Sequence, residues 1–134
     1  MKTRFVAPFA GLALLAGCSG VADITAPGDT MYAPPAIYAA WWQADIACSG
    51  LTDQRKVFDG LTWYRAASNH LGPDHIVAVT YWPERVVRVG PVYVDDERII
   101  RHEMLHAILN GAGLRHESES HDPMYFHDRC GLLP

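Results

Sequence analysis

Residues 102–106 read His102-Glu103-Met104-Leu105-His106. On a helix, the i, i+4 spacing brings both imidazoles to one face, a turn apart. Two imidazoles so placed can share one Zn²⁺ at ~2.0–2.1 Å. Glu103 stands one residue on from His102 and leaves that stripe. A carboxylate there suits a general base that takes a proton from water, while Zn²⁺ lowers the water pKa and polarises a carbonyl. A shuffled chain of this composition, with seven His and five Glu, shows such a motif roughly once in a hundred trials.

A catalytic zinc site takes three protein ligands and keeps one position open, so another ligand must come from beyond the helix. Gly111 and Gly113 permit a sharp reversal there, and His116, Glu117, Glu119, His121, Asp122 and His127 follow. Neutral imidazole is the commonest third ligand in short-spaced sites, which puts His121 and His116 first. Tyr125, Tyr93 and His127 are candidates to stabilise an oxyanion, although a tyrosine more often packs and His127 is ordinarily solvated. Asp95 and Asp96 are helix caps by default, with orientation of a ligand His as their second reading. His70 and His75 flank a turn and read as surface residues. Trp41 and Trp42 read as core and rim.

These side chains need elements to hold them. Pro35 suits a first helical turn, and residues 36–48 place Ile37, Ala40, Trp41, Ala44 and Cys48 on one face before Ser49-Gly50 ends the helix. Residues 52–59 are polar and read as a loop. Strands are expected at 61–66, at 75–82 and at 85–89, and Val92-Tyr93-Val94 reads as a short edge strand after Gly90-Pro91. Asp95 or Asp96 caps the motif helix, Glu97 favours its dipole, and the two glycines stop it. Residues 114–134 read as irregular. The fold class is α+β: a short twisted sheet, an N-terminal helix, the motif helix and a loop-rich tail.

The chain has 134 residues, enough for one domain. Hydrophobic residues at 49% allow a core, and a net charge of −4 argues against a nucleic-acid partner. Lys2 and Arg4 precede an apolar run over 5–16 that is too short to span a bilayer, the layout of a secretory signal. Leu15-Ala16-Gly17-Cys18 resembles the lipobox of bacterial lipoproteins, in which the Cys becomes the lipidated first residue. The resemblance implies a signal peptide over 1–17, a membrane anchor on Cys18 and a cell-envelope location. Ser19 resembles the outer-membrane sorting signal of diderm bacteria. Residues 18–34 then read as a flexible tether, with packing through Met31 and Tyr32 as the alternative, and 35–134 as the domain. In an exported chain the two remaining cysteines, Cys48 and Cys130, can form one disulfide. Its loop of about 80 residues corresponds to roughly 4.5 kcal/mol in the chain-entropy model.

The motif, the edge-strand-like Val92-Tyr93-Val94 and the Gly-terminated helix resemble the zincin metallopeptidases. The chain departs from the metzincin pattern, with Leu109 where that pattern has Gly and Ala112 where it has its third His. Met124-Tyr125 could mimic a Met-turn, although Met124 reads more simply as a packing residue. A closer resemblance is to small bacterial lipoproteins with R-H-E-M-L-H, an early W…C-S-G segment and a tail of His, Pro, Phe and a last Cys. Here those are Arg101 to His106, Trp41/Trp42 with Cys48-Ser49-Gly50, and His121, Pro123, Phe126 and Cys130, covering most of 41–130. That resemblance implies a zincin-like domain with His121 as third ligand and His116 as alternative. It implies a membrane-anchored zinc peptidase in which Glu103 activates water and a peptide lies along 92–94 by strand addition. The alternative is a catalytically silent zinc-binding lipoprotein that serves as a scaffold, favoured by the little room left for a second lobe.

Overall fold

In the computed structural model, residues 24–72 and 74–132 are described. Strand β1 (Thr30–Tyr32) leads into helix α1 (Ile37–Ser49) and a short helix α2 (Arg55–Asp59). Strands β2 (Thr62–Arg65), β3 (Ala78–Tyr81) and β4 (Val86–Val89) follow, then a 3₁₀ turn (Pro91–Tyr93), helix α3 (Glu97–Gly111), helix α4 (Arg115–Glu119) and a π-helical turn (Met124–Arg129). The class is α+β.

The sheet order is β1-β2-β4-β3. β2 and β4 run parallel, and β1 and β3 flank them antiparallel. On one face, Trp63, Ala78, Val87 and Val89 pack against Tyr38 and Trp42 of α1, Phe58 of α2, and Ile100, Met104, Ala107 and Ile108 of α3. Alternation turns Arg88 to the other face, where Asp29 covers it through two hydrogen bonds at 2.8 and 3.2 Å. Burial acts to raise the Asp29 carboxyl, but Arg88 and the N–H groups of Ala26 and Ala67 hold it below its ordinary value.

Helix α3 is buried on two sides. Its second apolar face, Leu105 and Leu109, packs on Tyr125, Phe126 and Leu132 of the C-terminal segment. The remaining face carries the motif. Asp96 caps the helix, its Oδ1 accepting from the N–H groups of Arg98 and Ile99 at 3.0 and 3.1 Å. At the other end Gly113, at φ +79°, makes the left-handed turn in which Leu114 N–H donates to Leu109 O and Gly113 N–H to Asn110 O. Gly111 does not stop the helix. It makes room for α2, since a Cβ there would lie 2.2 Å from Gln54 Oε1.

Several expectations are corrected. The stretch 52–59 holds α2 rather than only a loop, and the irregular tail holds α4 and the π-helical turn. Val92-Tyr93-Val94 is not a strand: Pro91 starts a 3₁₀ turn, and the edge strand beside the motif helix is β3. The buried face of α1 is Tyr38, Trp42, Asp45 and Ser49, one position round from the expected one, with Ile37 49% exposed. This helix is apolar nearly all round, so periodicity set its face poorly. Of the expected tether, residues 24–34 include β1, paired with β2 through Tyr32↔Trp63, while Met31 is exposed. Cys18 and the expected signal peptide lie outside the described residues. No helix among the described residues is long and apolar enough to cross a membrane.

Cys48 and Cys130 form a disulfide, with Cα atoms 5.2 Å apart. It fastens the C-terminal segment to the last turn of α1.

Candidate metal centre

His102 and His106 project from α3 one turn apart, as the i, i+4 spacing requires. Their Nε2 atoms lie 3.2 Å apart. His121 Nε2 is 3.1 Å from His106 Nε2 and 3.1 Å from His102 Nε2. Three nitrogens each ~2.0–2.1 Å from one tetrahedral ion lie ~3.3 Å from one another. The observed triangle is close to that figure.

The hydrogen bonds behind the rings set the tautomers. His102 Nδ1 faces the Leu132 carbonyl at 3.4 Å, an oxygen that can only accept. His106 Nδ1 is 3.0 Å from Ser118 Oγ, whose own proton points toward His106 O at 3.4 Å. Asn110 Nδ2 donates to the same Ser118 oxygen at 2.8 Å. The Leu132 carbonyl puts the His102 proton on Nδ1; with the Ser118 hydroxyl turned to His106 O, the His106 proton is on Nδ1 too, and in that arrangement two bare Nε2 lone pairs converge with that of His121. One proton on His121 can bridge only one of them. A cation shared by all three satisfies the set, so the donor chemistry fits a metal ion.

His121 arrives by an unusual backbone route. Helix α4 ends as α3 does, with Asp122 N–H donating to Glu117 O at 2.9 Å and His121 N–H to Ser118 O at 3.3 Å. The left-handed position of such a turn is ordinarily Gly, yet His121 occupies it at φ +51°. A β-carbon there costs about 1 kcal/mol or more. The imidazole that it delivers to the triangle accounts for its presence.

Burial first, then the neighbouring imidazoles, holds the His102 pKa down to about 4 and that of His106 down to about 3. Burial also lowers His121. The neutral, metal-binding form therefore persists below the ordinary imidazole range near 6.5. In the metal-free protein, an NMR titration should find the His102 and His106 rings still neutral at about pH 5. Protonation of both rings centred near 6.5 would show ordinary exposed imidazoles instead.

Glu103 is buried and lines the same cleft of about 430 Å³ as the three His. Burial pushes its carboxyl up to about 7, against the hydrogen bond from Thr80. Thr80 Oγ1 lies 2.7 Å from Glu103 Oε2 and 3.0 Å from Glu103 O. Thr80 belongs to β3, whose Ala78 and Val79 also line the cleft. A second cleft of about 320 Å³, on the Arg98 and Ile99 side, shares Ile76, Ala78, His102 and Glu103 with the first.

Of the expected site residues, His102, Glu103, His106 and His121 come together. His116 is exposed on α4 and outside the triangle. His127 is exposed and pairs with Asp128 at 2.8 Å. Tyr125 is buried against Leu105 and Leu109 rather than in the cleft wall, with the Arg129 guanidinium 5.4 Å from its ring centre. Tyr93 packs at the edge of the main core. Asp96 is a cap. Sequence reasoning missed Thr80, Ser118 and Leu132, which hold the glutamate and two imidazoles; nothing in their spacing marks them. Comparison with protein-family models, curated proteins and solved structures gave no match.

Proposed function

We propose that the protein is a zinc-dependent peptidase, anchored to a bacterial envelope membrane through a lipidated Cys18. One observation carries the reading: three neutral imidazole nitrogens within 3.2 Å of one another, with a buried glutamate in the same open cleft. His102, His106 and His121 would hold the ion. A set of three imidazoles without thiolate matches the open zinc site of hydrolases. When bound, zinc supplies a Lewis acid that polarises a carbonyl and lowers the pKa of water.

Glu103 takes the proton of the attacking water and returns it to the leaving amine. In the metal-free chain burial raises its carboxyl above the ordinary value, the direction needed by a group that both takes and returns a proton. The Thr80 hydroxyl keeps the carboxyl aimed into the cleft. An extended peptide would add to the free edge of β3, in place of the 92–94 segment that the sequence suggested. Its chain would then cross the cleft beside Glu103.

The test is hydrolysis of an unstructured protein such as reduced casein. Cleavage should be lost on chelation and restored by Zn²⁺. One bound zinc per chain with no cleavage would contradict the peptidase reading and leave the scaffold lipoprotein in its place.

A further inference from the structure

Phe126 stands at nearly one distance from all three imidazoles. Its ring centre is 4.9 Å from His102, 4.9 Å from His106 and 5.0 Å from His121. The residue is fully buried, and no other Phe, Tyr or Trp among the described residues makes such ring contacts with the three. Six positions on, the Leu132 carbonyl faces His102 Nδ1. Leu132 N–H donates to Phe126 O at 2.6 Å, so the floor and the carbonyl belong to one small loop. Cys130 lies inside this loop and is bonded to Cys48. Arg129 adds a hydrogen bond from Nη1 to Ser49 O.

We propose that the segment Met124–Leu132 is the positioning element of the three-imidazole centre, with Phe126 as its floor, the Leu132 carbonyl orienting His102, and the Cys48–Cys130 bridge holding both in place. This rests on the reading that the three His hold a metal. The bare lone pairs of the triangle repel one another, so the rings turn apart unless something fixes them. Phe126 blocks that rotation from beneath, and the Leu132 carbonyl fixes the tautomer and plane of His102. Loss of such outer partners typically weakens metal binding by about 10–100-fold.

The segment is separable from the main core. None of its residues belongs to the cluster that joins the sheet, α1 and α3; besides the imidazoles above Phe126, its apolar contacts lie in the second cluster, which meets the first at the half-buried Leu51. Absence of the bridge therefore acts first on the segment and the metal centre above it. The centre is complete only in the oxidised chain.

The experiment titrates the tag-free protein with Co²⁺ and Zn²⁺ against a chromophoric chelator. It compares wild type, Phe126→Leu and the Cys48→Ser/Cys130→Ser double variant, each confirmed as folded by circular dichroism. Both variants should bind about 10–100-fold more weakly, with an altered visible Co²⁺ spectrum. A residue with only a packing role would lower the melting temperature and leave affinity and spectrum unchanged; that result in folded variants overturns the inference alone. Phe126→Met, whose unbranched side chain adapts to irregular gaps, decides the matter if the other variants do not fold. A wild-type protein that binds neither ion removes the metal reading and this inference with it.

Discussion

Glu103→Gln should keep the metal and lose the chemistry, with kcat/KM falling by about 10²–10⁴-fold, the usual size of a general-base contribution. The amide has the shape of the carboxyl and can still accept the Thr80 hydroxyl that now lies 2.7 Å from Oε2. It cannot take a proton. Neither His102 nor His106 uses Glu103 as a hydrogen-bond partner, so the triangle should survive. Stability supplies a second readout. Burial raises the folded-state pKa of Glu103 to about 7, so its stabilising contribution is present below the unfolded value and lost as pH rises through about 7. Gln removes that dependence, and the variant should be no less stable than wild type at pH 8. Equal zinc content with cleavage undiminished would overturn the role given to Glu103.

Arg101→Ala should cost about 1–2 kcal/mol of folding stability at pH 8, since the Asp45 carboxyl can take up a proton when its partner is gone and one pH unit is worth about 1.4 kcal/mol. Arg101 Nε donates to Asp45 Oδ1 at 2.8 Å, and this joins α3 to α1 immediately beside His102. Asp45 is fully buried, and its Oδ2 has no protein partner. Burial pushes the Asp45 carboxyl up to about 7 even with Arg101 pulling it down. Without Arg101 the carboxyl must take up a proton to stay in the core, a proton that the unfolded chain gives up at pH 8. The sign follows from the raised pKa: Asp45 favours the folded state below the unfolded carboxylate value near 4, and that contribution is lost as pH rises through about 7. The deficit of Arg101→Ala should therefore shrink toward pH 4. Denaturant melts at pH 4.5 and 8 give the comparison, and a deficit that is the same at both would show that Asp45 is not the cause. Asp45→Asn, which cannot ionise, should lose this pH dependence.

The part of the site on α3 was legible because helices are local. A four-residue spacing, an Asp cap and a following glycine each act within a turn, and His102, Glu103, His106 and Asp96 all stand where those rules put them. His121 was legible only as one of several His, favoured by a resemblance, because its delivery depends on a left-handed turn that a non-glycine residue does not announce. The edge strand was misplaced for a related reason. Val92-Tyr93-Val94 has strand-like side chains, but Pro91 directs the backbone into a tight turn, and β3 gains its position from pairing with β4. Strand β1 was hidden because three residues carry little pattern, and the Asp29–Arg88 contact that anchors it joins residues 59 positions apart. Helix α1 showed its extent but not its buried face, since the Asp45 that points inward is chosen by Arg101, a partner from another helix.

Three imidazoles converging on one zinc should leave about one zinc on each purified chain. Zinc content per chain, measured by elemental analysis on protein purified without a His tag, tests it most directly, beside His121→Ala and His116→Ala. Wild type and His116→Ala should each hold about one zinc per chain, and His121→Ala should lose most of it. No zinc in wild type after reconstitution, or zinc retained in His121→Ala and lost in His116→Ala, would contradict that convergence.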